Sequence, residues 1–177
     1  MKAWRSMFLV AALSASPVVA AERLLEVPCE ELHVRISGDD YLPTCRAADI
    51  QESDGRWRAE VITANNTNGA YLLERAVALS ARAHLHDRSP RSVAEGFGFQ
   101  NIQEWSRELQ IVGYRVHTYT GTTRSGTEPL RCMAYAKSTS RPRAGFGERL
   151  NGVYCTSVLN PLDEATVAQI LGRIEAQ

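Results

Sequence analysis

Residues 45–64 read CRAADIQESDGRWRAEVITA, a pattern typical of a β-hairpin. The dipeptide Asp54-Gly55 supplies the positive backbone angles of a tight turn, because glycine has no Cβ to oppose them. Apolar and polar residues alternate after the turn, as they do in a strand that buries one side. We therefore expect residues 45–52 to pair with residues 56–64 in an antiparallel sheet.

Four further segments have the composition of strands. β-branched, aromatic and other apolar residues are frequent in them, and turn-forming residues separate them. These segments are residues 24–36, 111–120, 130–137 and 150–158. Together with the hairpin they predict a mainly antiparallel sheet.

Two longer segments are predicted as the main helices. Residues 70–85 are rich in alanine and leucine, and their apolar side chains recur at the spacing of one helix face. Residues 160–175 begin with an amide cap and a first-turn proline. Shorter helices are expected from Ser89-Pro90 onward and over residues 101–109. The chain is thus predicted to form a single α+β domain, a mainly antiparallel sheet covered by two main helices.

The first 21 residues have the three parts of a cleavable export signal. Lys2 and Arg5 give a basic start, residues 7–13 form an apolar run, and residues 14–21 contain the small side chains that a signal peptidase needs. The run is shorter than the roughly 20 apolar residues of a membrane-spanning helix. We predict a signal peptide over residues 1–21 and one domain over residues 22–177, periplasmic or secreted and without a transmembrane segment after signal removal.

The predicted mature domain contains four cysteines, and export would place them in an oxidising compartment. Three pairings are possible. Closeness in sequence favours Cys29 with Cys45 and Cys132 with Cys155. A redox or metal role is disfavoured because no Cys-x-x-Cys pair occurs. We expect two structural disulfides, each contributing about 3 kcal/mol to stability.

The charge balance argues against nucleic acid as a partner. The chain contains 20 basic and 20 acidic residues, and loss of Lys2 and Arg5 with the signal leaves 18 basic residues. A mildly acidic domain lacks the basic surface that binds nucleic acid.

Residues 68–79 read NGAYLLERAVAL. This segment resembles a helix in small uncharacterised bacterial envelope lipoproteins, where a Tyr-Leu-Leu-x-Arg-Ala core also follows a strand and a polar turn. The match covers about a tenth of the chain, and the lipid-bearing cysteine of those proteins is absent. The resemblance implies an envelope setting and supplies no activity.

Candidate catalytic and metal-binding residues are few. His84 and His86 with Asp87 are suitable metal ligands, but they do not complete a tetrahedral site, and a histidine at the end of a helix is favourable without any metal. His117 would need a nucleophile brought close by folding. No nucleophile-elbow, zinc-protease or phosphate-loop motif occurs. We therefore assign no catalytic residue, no metal and no cofactor.

A polar loop over residues 138–147 carries Arg141 and Arg143, and Arg149 follows it. Guanidinium groups bind phosphates and other anions well, so these three arginines are the candidate binding surface. The leading hypothesis is a non-enzymatic envelope protein that binds another protein or an anionic glycan or lipid headgroup. The alternative is a small periplasmic hydrolase with a histidine-based site.

Overall fold

The structure is a computed structural model that describes residues 24–38, 40–52, 55–80, 83, 85–124, 126–140 and 146–176. These residues contain eleven strands, two α-helices and one 3-10 turn. The strands are β1 (Leu25–Glu26), β2 (Val34–Ile36), β3 (Leu42–Glu52), β4 (Gly55–Asn65), β5 (Ala70–Ala78), β6 (Phe99–Gln103), β7 (Leu109–Ile111), β8 (Tyr114–Thr123), β9 (Leu130–Ser140), β10 (Phe146–Ser157) and β11 (Ile174–Ala176). The helices are α1 (Pro90–Gly96) and α2 (Glu164–Leu171), and the 3-10 turn is Cys29–Glu31.

Nine of these strands form one sheet, in the order β1-β3-β4-β5-β10-β9-β8-β6, and β7 also pairs with β8. All its pairings are antiparallel. The strands β2 and β11 form a separate antiparallel pair. The middle of the large sheet is therefore occupied by β5 and β10, which come from distant parts of the chain.

The two faces of the large sheet carry different layers. Helix α1 packs on one face, and helix α2 packs on the other together with the residues around β2 and β11. We call these the α1 face and the α2 face. The core of the α1 face contains Val93, Ala94, Phe97, Tyr119, Leu130, Cys132, Ala134, Val153 and Cys155. The core of the α2 face includes Leu32, Val34, Ile62, Tyr71, Leu73, Tyr114, Val116, Met133, Tyr135, Leu150, Tyr154, Val167 and Leu171.

The predicted hairpin is confirmed. Strands β3 and β4 pair along their whole lengths, from Leu42 opposite Asn65 to Glu52 opposite Gly55. The turn residues 53 and 54 lie outside the described part of the chain. The strands predicted over residues 111–120, 130–137 and 150–158 correspond to β8, β9 and β10, with ends that differ by several residues. These three segments supply three adjacent strands of the large sheet.

The helix predicted over residues 70–85 is wrong, because residues 70–78 form β5. This strand hydrogen-bonds to β4 on one side and to β10 on the other. Both of its faces are covered, so it lacks the alternation of apolar and polar residues that marks a half-exposed strand. Sheet pairing thus overrides the helix preference of its alanine, leucine, glutamate and arginine residues. The helix implied by the resemblance to envelope lipoproteins is likewise not formed.

The other helix predictions are only partly correct. Helix α1 begins as predicted, and Ser89 Oγ accepts a hydrogen bond from the backbone N–H of Ser92 at 3.2 Å. Helix α2 is shorter than the predicted 160–175 and is capped by Asp163, whose carboxylate accepts from the N–H of Thr166 at 2.8 Å.

Two segments form less regular structure than the sequence indicates. Residues 101–109, predicted as helix, contribute to β6 and β7 and to the connection between them. Residues 24–36 form only the short strands β1 and β2 around the 3-10 turn. The fold is therefore mainly antiparallel sheet with two short helices, and the term α+β describes it loosely.

Both predicted cysteine pairs are at disulfide distance, with S–S separations of 2.05 Å for Cys29–Cys45 and 2.08 Å for Cys132–Cys155. Cys132 lies opposite Cys155 on the neighbouring strands β9 and β10, whereas Cys29 joins the 3-10 turn to β3. Such disulfides are compatible with an extracytoplasmic location. The predicted signal residues 1–21 lie outside the described part of the chain.

Helices α1 and α2 are the two α-helices of the described ranges. Neither α1 nor α2 is long and apolar enough to cross a bilayer.

Gly152 lies on β10, between β5 and β9 in the middle of the large sheet. It stands opposite Leu73 on β5 and Tyr135 on β9. A Cβ at this position would collide with the backbone oxygen of Leu72 and the hydroxyl of Tyr135. The middle of the sheet therefore requires a residue without a side chain at position 152.

We expect Gly152→Ala to lower the free energy of unfolding by about 1–3 kcal/mol, because the added methyl group overpacks a closed interior. Equilibrium urea denaturation with the disulfides intact measures the change. Gly96→Ala is the matched control, since a Cβ there would meet nothing within 4 Å. Equal stability of the two variants would contradict the close packing of the central strands.

Candidate functional site: an arginine cluster on the α1 face

Three arginines and two carboxylates meet on the α1 face, at the end of the sheet where β10 begins. The residues are Glu74, Asp87, Arg88, Arg115, Ser138, Arg149 and Asn151, which we call the Arg149 cluster. Alternate residues of a strand point to the same face, so Arg149 and Asn151 share the face of Val153. Glu74 points to the same face from β5, in line with Leu72.

Arg149 and Glu74 form the buried centre of the cluster. Arg149 is 6% exposed and Asn151 is 0% exposed. Arg149 Nη2 donates to Glu74 Oε1 at 2.9 Å, and Asn151 Nδ2 approaches Glu74 Oε2 at 3.5 Å. Arg88 Nη1 contacts the same carboxylate at 3.4 Å. One carboxylate is thus shared by two guanidinium groups and one amide.

The segment 86–88 covers the cluster on the side that faces away from the sheet. Arg149 Nη1 donates to the backbone oxygen of His86 at 2.9 Å, and Arg115 Nη2 donates to the backbone oxygen of Arg88 at 2.9 Å. Asp87 accepts from Arg115 at 2.7 Å and from the hydroxyl of Ser138 at 3.0 Å. Strands β8, β9 and β10 therefore all hold this segment through side chains.

Within the described part of the chain, two buried polar atoms of the cluster lack a hydrogen-bond partner: Arg149 Nε and Asn151 Oδ1. Burial lowers the pKa of Arg149 below its usual value, and the nearby charge of Glu74 offsets this only in part. An unmet donor and an unmet acceptor in a closed interior are costly, about 1–3 kcal/mol for each group. The cluster is therefore the least satisfied polar site among the described residues.

The α2 face carries a contrasting polar group around Glu60, which we call the Glu60 network. Its members are His33, Asp49, Arg58, Glu60, Arg75 and Glu148. Glu60 is fully buried and accepts hydrogen bonds from His33, Arg58 and Arg75 at 3.0–3.2 Å. Every oxygen of this carboxylate is occupied, so the network fixes the 3-10 turn and β2 onto the sheet.

The acidity of Glu60 reflects these contacts. Burial by itself would raise the pKa of Glu60, but hydrogen bonds from His33 and Arg58 and the charge of Arg75 outweigh it. The resulting pKa lies below the usual value of a glutamate. Glu60 is therefore held in its charged form and stabilises the folded state in that form.

The three arginines of the predicted binding surface differ in what the structure shows of them. Arg149 was expected at the surface, and this expectation is wrong because its guanidinium is buried against Glu74 and the His86 backbone. Its position on a strand covered by the 86–88 segment explains the burial. Arg141 and Arg143 lie outside the described residues.

The predicted histidines are not brought together within the described residues. His117 is buried on the α1 face, where Nδ1 donates to the backbone oxygen of Ser106 at 2.9 Å and Nε2 lies 3.8 Å from Glu108. His86 is exposed, and His84 lies outside the described residues. Within those residues, no group of three or more His, Cys, Asp and Glu side chains is placed to hold a metal ion.

Glu74 and Arg75 are the important residues that the sequence interpretation missed. They are neighbours in an otherwise apolar run, and in β5 they point to opposite faces. Glu74 joins the Arg149 cluster, whereas Arg75 joins the Glu60 network. Two adjacent charges inside an apolar segment were the available signal, because a strand would have to bury both and supply each with a partner.

Comparison of the chain with protein-family models, with curated proteins and with solved structures finds no match.

We expect Glu60→Gln to lower the free energy of unfolding at pH 7 by about 3 kcal/mol, because it removes the buried charge that Arg58 and Arg75 both contact and leaves Arg75 with Glu148 as its carboxylate partner. Since the folded pKa of Glu60 is lowered, its contribution is present above the unfolded pKa of about 4.3 and is lost as the pH falls through the folded value. The difference between wild type and variant should therefore be constant near neutrality and shrink below about pH 4. Urea denaturation from pH 3 to pH 7 measures it.

Glu26→Gln is the control for that pH series. Glu26 pairs with Arg46 at an exposed position, so its removal should change stability little at any pH. A wild-type advantage over Glu60→Gln that stays the same down to pH 3 would contradict the proposed role of the Glu60 charge.

Proposed function

We propose that this chain is an exported binding protein without catalytic activity, and that it recognises an anionic component of the cell envelope through Arg141 and Arg143. The ligand class is a glycan or lipid headgroup that carries negative charge. The predicted signal peptide over residues 1–21 and the two disulfides support a periplasmic or secreted location for this activity.

The geometry of the β9–β10 hairpin is the main observation that supports this proposal. The two strands pair from Leu130 opposite Ser157 up to Ser140 opposite Phe146, so Arg141 and Arg143 belong to a connection of five residues. A disulfide joins the strands toward the far end of the hairpin. A paired, cross-linked hairpin gives a firm base from which a short connection can present two cations.

The base of the hairpin is also held from the side. Ser138 on β9 and Arg149 on β10 both contact the 86–88 segment. Binding through a preorganised base requires less ordering of the chain, which favours affinity. The ion pair of Arg149 with Glu74 thus helps to fix β10, at the base of the hairpin. This ion pair is buried and is not part of the exposed surface.

The hydrolase alternative would require a histidine beside a nucleophile. The polar contacts of His117 within the described residues are a carbonyl oxygen and a carboxylate, and its ring lies edge-on to Trp105. The nearby Ser106 hydroxyl instead donates to the backbone oxygen of Arg107 and accepts from the N–H of Thr118. The contacts of His117 therefore favour a packing role over a catalytic one.

The binding proposal is tested with the double variant Arg141→Gln/Arg143→Gln. Co-sedimentation with a purified envelope fraction should weaken about 30-fold, since each cation contributes about 1 kcal/mol near an anionic surface and 1.4 kcal/mol is tenfold. Binding of the wild type should also fall as the salt concentration rises.

The matched control replaces two exposed arginines elsewhere, Arg35→Gln/Arg107→Gln, which removes the same net charge. This control should bind like the wild type. If the two double variants bind equally well, the arginine connection is not the binding surface, and a salt-insensitive interaction would point to a protein partner instead.

A further inference from the structure

Strands β5, β10, β9 and β8 are consecutive in the large sheet, and their ends form one side of the molecule. Val77, Glu148 and Thr139 stand side by side on β5, β10 and β9. The connection between β9 and β10 and the turn between β7 and β8 follow at the same end of the sheet. We call this side of the molecule the hairpin end.

The β7–β8 turn exposes an apolar residue in an unfavourable backbone conformation. Ile111 pairs with Tyr114, so Val112 and Gly113 form a two-residue turn, and their φ angles are positive, 51° and 78°. Asn-Gly and Asp-Gly suit such a turn, whereas a positive φ is strongly disfavoured for a β-branched residue. Val112 is 57% exposed, so burial of its side chain does not offset this cost. The fold alone therefore gives no reason for a valine at this position.

A second exposed apolar side chain lies at the hairpin end. Leu79 directly follows β5 and is 41% exposed. Strands β10 and β9 separate β5 from β8, which places Leu79 and Val112 about 14 Å apart across the sheet at the usual strand spacing. The β9–β10 hairpin stands between them. Two exposed apolar side chains thus flank the hairpin whose connection carries Arg141 and Arg143.

Lys137 adds a cation beside the β7–β8 turn. Its side chain is exposed, and its Nζ lies 5.2 Å from the centre of the Tyr114 ring and 3.8 Å from the place that a Cβ at Gly113 would take. Lys137 forms no ion pair within the described part of the chain. Two carboxylates at this end, Asp87 and Glu148, each have an arginine partner. The ammonium group of Lys137 is therefore free to meet an anion from outside.

The charge of the connections distinguishes the two ends of the sheet. At the hairpin end the connections contain four arginines and two aspartates, whereas those at the opposite end contain one arginine, three aspartates and one glutamate. The connections counted are residues 53–54, 79–89, 112–113 and 141–145 at the hairpin end, and residues 37–41, 66–69, 124–129 and 158–163 at the opposite end. An anionic surface is therefore attracted to the hairpin end and repelled by the opposite end.

We propose that the hairpin end docks on an anionic lipid bilayer, with Lys137 at the headgroups beside the arginine connection and with Val112 and Leu79 directed toward the acyl chains. Cations combined with exposed apolar side chains are what peripheral binding to anionic lipid requires. A hydrated glycan attracts the cations but offers no apolar environment to Val112 and Leu79. This docking rests on the proposed function, because it uses the same arginine connection, and it names the lipid bilayer as the partner.

The experiment is co-sedimentation of the purified mature domain with lipid vesicles at low salt. Vesicles of phosphatidylcholine and phosphatidylglycerol in equal amounts are compared with vesicles of phosphatidylcholine alone, and dextran sulfate is the polyanion without acyl chains. Binding to the anionic vesicles should be at least tenfold tighter than binding to the neutral ones, since each cation near an anionic surface favours binding about fivefold.

Substitution of the exposed apolar residues separates bilayer docking from simple charge attraction. Val112→Asn suits the positive φ and removes the apolar side chain, so urea denaturation should show equal or greater stability. Its binding to anionic vesicles should weaken about fivefold, while its binding to dextran sulfate should not change. Leu79→Asn should have the same effect on vesicle binding. Leu159→Asn is the matched control, because Leu159 is 86% exposed in the connection that follows β10 at the opposite end, and it should bind like the wild type.

The possible outcomes test bilayer docking and the proposed function separately. If the wild type binds dextran sulfate but not anionic vesicles, or if Val112→Asn and Leu159→Asn bind anionic vesicles equally well, bilayer docking is wrong and the arginine surface stands. If Arg141→Gln/Arg143→Gln binds both anionic vesicles and dextran sulfate like the wild type, the proposed function is wrong. If the wild type binds neither, both are wrong.

Discussion

Strand β10 connects the two halves of the sheet, because it hydrogen-bonds to β5 along one edge and to β9 along the other. The chain before residue 79 supplies β1, β3, β4 and β5, and the chain after residue 98 supplies the rest of the large sheet. Among the described strands, the pairing of β5 with β10 is the one ladder that joins these halves within the large sheet, while β2 and β11 pair outside it. Gly152 allows the close approach, since its neighbours leave no volume for a side chain. The buried charges of both faces depend on the register that this pairing sets.

That register gives adjacent charged residues opposite environments. Glu74 and Arg75 follow each other in β5, and the alternation of a strand sends one to each face. On the α2 face, Arg75 completes a network in which Glu60 is fully satisfied. On the α1 face, Glu74 is the shared partner of Arg88 and Arg149. One network is therefore complete, while the other leaves Arg149 Nε and Asn151 Oδ1 without a hydrogen-bond partner among the described residues.

Sequence patterns succeeded where local chemistry dominates. The hairpin expected from Asp54-Gly55 is formed by β3 and β4, and Ser89 caps helix α1 through a contact within three residues. The last helix is capped by Asp163 and not by the predicted Asn160. Sequence patterns failed where the burial of a residue depends on strands that are distant in sequence. Residues 70–78 read as a helix because both faces of a central strand are apolar, and Arg149 read as a surface residue because its partner Glu74 is 75 residues away. The candidate site depends on pairings of this second kind. The sequence interpretation therefore singled out Arg149, and Asp87 as a candidate metal ligand, but not Glu74, Arg88 or Arg115.

The sequence by itself indicated the hairpin and the antiparallel character of the sheet through turn chemistry and composition, and closeness along the chain favoured one of three possible cysteine pairings. Only the tertiary structure decided that residues 70–78 are a central strand and that Arg149 is buried. It also decided which carboxylate each guanidinium meets. The physical reason is that burial and ion pairing in a sheet depend on strand order, and strand order here joins β5 to β10 across a long separation in sequence.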